Sequence, residues 1–298
     1  MSNSDEIIES KGDRSLRFLF DNTDIRGQSV HLDKSFQKIL AIHQYAPGVS
    51  QLMGELLVAA VLLSTTLKFE GKLVLQIRSD GQIPLIMVEC TSDQDIRAIA
   101  RGAEQATSDN FDLLLTDGQL AITIDPDQGE RYQGIVPLSG GSVARSLDAY
   151  FEQSEQLQTR LWLAADGTHA AGFLLQQLPT QIVTELSERE EQWNHACTLA
   201  ETVKESELLL LNAEQILHRL YHEESLRVFT PAAVQFRCSC SRDRTYSALC
   251  VFDGAELRDI LDEQGSISMD CEFCNQQYIF MEEDLMSLLP ADEGRTLH

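Results

Sequence analysis

Four cysteines fall into two tight pairs, Cys238-Ser239-Cys240 and Cys271-Glu272-Phe273-Cys274, separated by residues 241–270. No other feature constrains the chain as strongly. Four thiolates from two such pairs can surround one tetrahedral zinc ion only if two knuckles of chain fold together. The intervening stretch, with FDGAELRDILDEQG, has the length for a short helix and a turn. Three uses of the sulfurs are open at this level: a permanent zinc anchor, a pair of disulfides, or a site that passes between the two states. Zinc-bound sulfurs about 2.3 Å from a shared ion lie roughly 3.8 Å apart, whereas a disulfide needs about 2.05 Å, so coordination and oxidation exclude one another. If an oxidant converts one thiolate to a sulfenic acid, the adjacent cysteine of its pair can resolve it, and each pair lost removes half of the ligands.

A chain of 298 residues builds a hydrophobic core without staples, so these sulfurs are not required for bulk stability. The amino terminus, MSNSDEIIESKGDRS, lacks a basic segment followed by an apolar one, and no apolar run reaches the roughly 18 residues of a membrane span. A cytosolic location is expected, and in a reducing cytosol cysteines serve as free thiols, metal ligands or redox groups. The formal charge of −24 repels polyphosphate and anionic lipid, which argues against nucleic acid and membrane as partners. From Cys238 to the end the chain has 4 basic and 13 acidic residues, with no basic stripe for a nucleic-acid-binding zinc ribbon and with self-repulsion once an anchor is lost.

The pattern before Pro179 is that of an α+β domain, with helix-length apolar runs among short alternating strands. Leu73, Leu75 and Ile77 alternate with polar or flanking residues, Asp80-Gly81 offers a turn, and IPLIMVE returns as a second strand. QLAITID and RYQGIVPL form a second expected hairpin. LLVAAVLLSTTL, Leu56 to Leu67, reads as a helix buried on most faces, and SVARSLDAYFEQSEQL as an amphipathic helix capped by Ser142. After Pro179, ELSEREEQWNHACTLAETVKESE is dense in charge, with isolated apolar residues such as Trp193, Leu199 and Val203. Helix without deep burial is expected there, and unless neighbours hold it such a segment should lie near its folding midpoint because ordering costs about 1–2 kcal/mol per residue. Pro231 marks a boundary to the cysteine-bearing tail. The expected organisation is an amino-terminal α+β core over 1–179, a charged metastable helical linker over 180–230, and a small domain over 231–298.

FRCSCSRDR and MDCEFCNQQYIF resemble the redox-switch domain of the heat-shock protein 33 family, the redox-regulated bacterial chaperones. LRFLFDNTDIRGQSV, ELLVAAVLLSTTLKFEG, GERYQGIVPL, DAYFEQSEQLQTRLWL and RLYHEE resemble the family's segments in the same order, so the likeness spans nearly the whole chain. The resemblance implies an ATP-independent holdase, inactive when reduced and zinc-bound, and switched on by oxidants together with mild unfolding conditions. It implies one zinc ion per chain on Cys238, Cys240, Cys271 and Cys274, and disulfides Cys238–Cys240 and Cys271–Cys274 in the active state. It also implies that residues 231–298 are a zinc-binding redox-switch domain, that linker unfolding exposes client-binding surface, that active molecules form a homodimer, and that clients pass to an Hsp70-type foldase system.

Cys250 lies between the two pairs and reads as an apolar filler beside Leu249 and Val251. Cys90 and Cys197 read as packing or surface cysteines. His218 and His222 share a helix face but lack the glutamate of a metalloprotease motif, and SGGSVARS, Ser139 to Ser146, lacks the lysine and spacing of a P-loop, so helix capping is its expected role. No nucleophile is tied by spacing to a histidine and an acid, and no enzymatic role is expected. The competing functions are a thiol-disulfide oxidoreductase, because C-x-C and C-x-x-C pairs exchange disulfides, and a constitutive zinc-ribbon interaction module.

Overall fold

Side chains of Arg14–Phe20 alternate across the strand, with Leu16, Phe18 and Phe20 buried on one face. This strand organises the first of two six-stranded sheets in the computed structural model, which describes residues 12–66, 70–138 and 140–289. The first sheet runs in the order Leu226–Val228, Arg14–Phe20, Ile25–Leu32, Ala170–Gln177 and Thr159–Ala165, with Ala232–Ala233 also paired to Arg14–Phe20. The second runs Gln235–Phe236, Asp95–Arg101, Leu85–Thr91, Gly71–Arg78, Gln119–Pro126 and Tyr132–Pro137. Every pairing is antiparallel except that of Gln235–Phe236, which lies parallel to Asp95–Arg101. The protein is an α+β fold, as the mixed patterning predicts.

The helix Pro47–Ser64 packs against strands of both sheets, which explains why it is apolar around its whole circumference. It is long and apolar enough to cross a membrane, and 83% of it is buried inside the fold. Its backbone approaches the first sheet closely: a Cβ on Gly54 would sit 2.6 Å from Ala165 Cβ, and one on Gly172 would sit 2.4 Å from Val58 Cγ1. Both expected hairpins form. The connection after Arg78 is longer than an Asp80-Gly81 turn, because Asp80 and Ile83 donate to Thr116 and Leu114 carbonyls and draw residues 79–84 onto a neighbouring loop. Ser142 caps the helix Val143–Tyr150, its Oγ accepting from Arg145 N at 3.2 Å. This helix does not continue evenly to Leu157. It widens into a π-helical turn, Phe151–Glu155, where the Tyr150 hydroxyl donates to Glu155 Oε1 at 2.8 Å, and ends at Gln156 in the left-handed region. Leu67, Ser139 and residues 1–11 lie outside the described residues.

The charged stretch departs from expectation. It forms helices Leu186–Ala200, Glu205–Leu210 and Ala213–Tyr221, and one face of them is deeply buried on the first sheet. Trp193, Ala196, Cys197, Ala200 and Tyr221 pack with Leu16, Phe18, Phe20 and Phe173, with Trp162 at the margin. Tyr221 meets Phe20 edge-on at 4.8 Å between ring centroids and donates its hydroxyl to Ala196 O at 2.9 Å. Alanines and a cysteine let the helices sit close, so a narrow stripe covers a wide aromatic face. Across it, His31 Nε2 lies 3.0 Å from Leu209 O.

The chain divides into two compact units, 1–237 and 238–298. The linker helices belong to the first, and so do residues 231–237, where Val234 N donates to Asp13 O, Arg237 N donates to Ile96 O, and Arg237 pairs with Asp95 at 3.4 Å. The second unit contains helices Arg242–Leu249 and Gly254–Gln264, a hairpin of Ile267–Asp270 with Gln277–Phe280, and a short helix Glu282–Leu285. Among its described residues the core is six buried side chains, including Leu249, Leu257, Leu261 and Phe280.

Candidate metal and redox centre

The two cysteine pairs sit on different kinds of knuckle. Cys271–Cys274 forms the turn of the hairpin: Cys274 N and Asn275 N both donate to Cys271 O, Cys271 N donates to Gln276 O, and Asn275 takes the left-handed conformation (φ 55°) that closes it. Cys238-Ser239-Cys240 leads into a helix whose cap is Ser241, accepting from Arg244 N at 3.2 Å. Arg244 Nη1 reaches back to Ser239 O (2.7 Å) and Ser239 Oγ (2.8 Å), tying the helix to its knuckle. Arg242 ties the knuckles' supports together, lying 4.4 Å over the Phe280 ring, donating to Ile279 O and pairing with Asp284 at 2.7 Å.

All four Sγ atoms lie within 4.8 Å of one another. Cys238 and Cys271 are 3.6 Å apart and Cys240 and Cys274 are 3.4 Å apart, so these two approaches run across the pairs. These separations are near the roughly 3.8 Å edge of a tetrahedral zinc-thiolate site. The Tyr278 hydroxyl donates to Cys240 Sγ at 3.2 Å. None of the seven cysteines is in a disulfide.

Burial and neighbouring thiols push Cys271 and Cys274 above the ordinary thiol range. The bond to Cys240, with lesser help from burial and nearby sulfurs, pushes Tyr278 up to about 12. Four sulfurs this close cannot all ionise without a compensating cation, and a divalent thiophilic ion supplies that charge. The donor set therefore fits a metal, and among the described residues this is the sole cluster of cysteine, histidine or carboxylate groups that does. Cysteine spacing identifies the four sulfurs but carries no signal for Tyr278, Arg242 or Arg244, which act through the folded hairpin and helix.

The remaining candidates separate from the centre. Cys250 is exposed at the end of its helix, Sγ 3.5 Å from Tyr246 O, so it is not an apolar filler; Leu249 takes the core position and Val251 is 87% exposed. Cys90 is buried 3.3 Å from Ser64 Oγ, and Cys197 is buried under the linker helices; burial pushes each up to about 12, which makes both poor nucleophiles. His218 and His222 stack on one helix face at 5.9 Å, with His222 exposed and no third ligand clustered with them among the described residues. Gly140 and Gly141 adopt left-handed conformations that deliver Ser142 to its capping position.

Comparison with known proteins agrees with this architecture. The family model described as Hsp33 protein matches residues 13–281. A protein of Pseudomonas aeruginosa (strain LESB58) named 33 kDa chaperonin is 50% identical over 282 residues, covering 94% of this chain and 95% of the relative. One of the same name from Ectopseudomonas mendocina (strain ymp) is 52% identical over 279 residues, covering 93% and 95%. The crystal structure of the 33 kDa chaperonin from Thermotoga maritima superposes with a TM-score of 0.79 at 22% identity, over 93% of this chain and 97% of that one, and supports the fold alone.

Proposed function

Because the chain belongs to the Hsp33 family and so to a family of chaperones, we propose that it is an ATP-independent, redox-gated holdase of the cytoplasm. The observation that carries the reading is the gathering of Cys238, Cys240, Cys271 and Cys274 within 4.8 Å in a unit with a core of six side chains. In the reduced chain these four thiolates hold one zinc ion, whose binding contributes folding free energy on the order of 10 kcal/mol.

Activation begins when one thiolate of a pair attacks a peroxide, forming a sulfenic acid as the O–O bond breaks and hydroxide leaves. Its partner then displaces the second hydroxyl, so that each pair gives up two electrons and closes one disulfide, Cys238–Cys240 or Cys271–Cys274. Loss of the thiolates unfolds residues 238–289, and the metastable linker over 180–230 then leaves the core. The aromatic face of Phe18, Phe20 and Phe173 becomes available to unfolding client proteins. Active molecules dimerise and pass clients to an Hsp70-type foldase system. This three-part division of labour, core over 1–179, linker over 180–230 and switch over 231–298, requires no catalytic residue.

The test is zinc release, followed by a metallochromic dye during peroxide treatment at raised temperature, with light scattering of an aggregating client read on the same samples. Zinc leaving as aggregation stops supports the switch. Zinc retained, or lost without client protection, returns the cysteines to an anchor; catalytic turnover of insulin disulfides would make the protein an oxidoreductase instead.

A further inference from the structure

One corner of the first sheet breaks the charge logic of the chain. Arg17 stands opposite Gln28 and Leu19 opposite Arg26 in the register of Arg14–Phe20 with Ile25–Leu32, so Arg17, Arg26 and Gln28 share one face, the face turned away from the linker helices. In a chain with 47 acidic residues, neither arginine has a carboxylate partner among the described residues. Arg26 donates to Gln176 Oε1 and to Thr66 O, both uncharged acceptors. Arg17 lies 5.5 Å from the Phe229 ring centroid. Burial, and to a lesser extent the charge of Arg17, draws Arg26 below the usual guanidinium range.

Gln28 supplies a second, independent observation. It is 3% exposed, its Oε1 accepts the Thr65 hydroxyl, and its Nε2 has no hydrogen-bond partner, a buried donor that costs about 1–3 kcal/mol to leave unmet. Two adjoining cavities, of about 190 and 230 Å³, meet at Arg17 and Thr65. Their described polar walls are the two arginines, the amides of Gln28 and Gln94, and hydroxyls including Ser15 and Thr230; no carboxylate lines either one. Two guanidiniums lining one cavity, with amide and hydroxyl donors beside them, match the oxygens of a phosphoryl group.

We propose that this corner is a binding site for a small phosphoryl oxyanion, held by Arg17, Arg26 and Gln28. The site has a mobile-element consequence, and that part rests on the gated-holdase reading. Phe229, Thr230 and Ala232 form its outer wall, where the linker ends and the chain runs on to Cys238; Phe229 N donates to Arg17 O at 3.0 Å. An occupant bridging this wall to the sheet stabilises the docked strands 226–233 by mass action and opposes release of the linker.

The experiment uses the reduced, zinc-loaded full chain, and titrates inorganic phosphate, pyrophosphate or acetate at ionic strength matched with sodium chloride. Melting midpoint and hydrogen exchange of residues 226–233 are followed, so the result does not depend on oxidation or client binding. Phosphate or pyrophosphate should raise the midpoint saturably and slow exchange in 226–233, with acetate weaker. The response should fall about tenfold or more in apparent affinity for Arg17→Gln, an exposed position, and for Gln28→Glu, which places an internal carboxylate beside both arginines. Absence of a saturable response beyond chloride, or an unchanged response in both variants, overturns the site and leaves the holdase reading untouched.

Discussion

Asp24 and Arg189, 165 positions apart, meet as a buried ion pair of 2.5 Å that fastens the start of the linker to the turn between the first two strands. The carboxylate also accepts from the backbone N–H groups of Gln181, Ile182 and Val183, and Arg189 donates to Leu178 O at 2.8 Å. Burial alone would raise the Asp24 carboxyl, but those N–H donors and the guanidinium outweigh it and hold the group below the usual range. Removing one partner of such a pair costs about 3–5 kcal/mol. Asp24→Asn should therefore speed hydrogen exchange in residues 181–200 of the reduced protein, with the strand Gly71–Arg78 unchanged, and should give client protection without oxidant. Unaltered exchange in 181–200 would show that the pair does not hold the linker.

Linker docking should weaken as pH rises. Glu55 and Asp148 line a cavity with Arg145, Arg160, Glu201 and Glu205, where the linker meets the core. Burial, opposed by Gln51 and reinforced by Glu205, pushes Glu55 from 4.5 to about 7. Burial, opposed by Arg160 and reinforced by Glu152, pushes Asp148 from 3.8 to about 6. The folded form holds these protons more tightly than the unfolded one, so their stabilisation is complete below about pH 4 and is lost as pH climbs to about 7. Exchange of residues 201–208 should be slower at pH 5 than at pH 8 after correction for intrinsic rates, and Glu55→Gln should shrink that difference. A full difference in the variant would acquit Glu55.

Cys271→Ser should lower zinc content below one per chain and unfold residues 238–289 under reducing conditions, since a core of six side chains gives that unit little else to stand on. Metal analysis paired with amide chemical-shift dispersion reads both effects. One-to-one zinc with intact dispersion would remove Cys271 from the ligand set.

Cys250→Ser, by contrast, should leave zinc content and peroxide response within error of the parent chain, because the thiol is exposed and lies outside the four-sulfur cluster. Slower or incomplete zinc release in this variant would give Cys250 a part in the exchange.

Tyr221→Phe removes the bond to Ala196 O from beneath the linker helices and should destabilise the first unit by about 1 kcal/mol while keeping the ring packing. Chemical denaturation of parent and variant measures it, and equal stability would assign the hydroxyl no weight.

Local signals carry much of the fold. The alternation in Leu73 to Ile77, the continuous apolar run of the central helix and the capping Ser142 each specify an element from neighbours in sequence. The clustering of the four sulfurs is equally legible, because each pair is already close in sequence. What escapes a linear reading depends on partners far away. The linker's buried stripe of Ala196, Cys197 and Ala200 looks weak until Phe18, Phe20 and Phe173 supply its other half. Asp24 and Arg189 look like two solvated charges, and the pairing of Leu226–Val228 and Ala232–Ala233 with Arg14–Phe20 joins opposite ends of the first unit. Tyr278 is one aromatic among several until the hairpin turns its hydroxyl onto Cys240.

The chain has two tryptophans, and both belong to the contact between the linker and the sheet: Trp193 is buried from the helix side and Trp162 lies at the margin on the sheet side. Their emission under ultraviolet excitation is consequently a built-in optical gauge of that single contact. The cysteine unit contains no tryptophan, so that emission follows the linker contact with no contribution from residues 238–298.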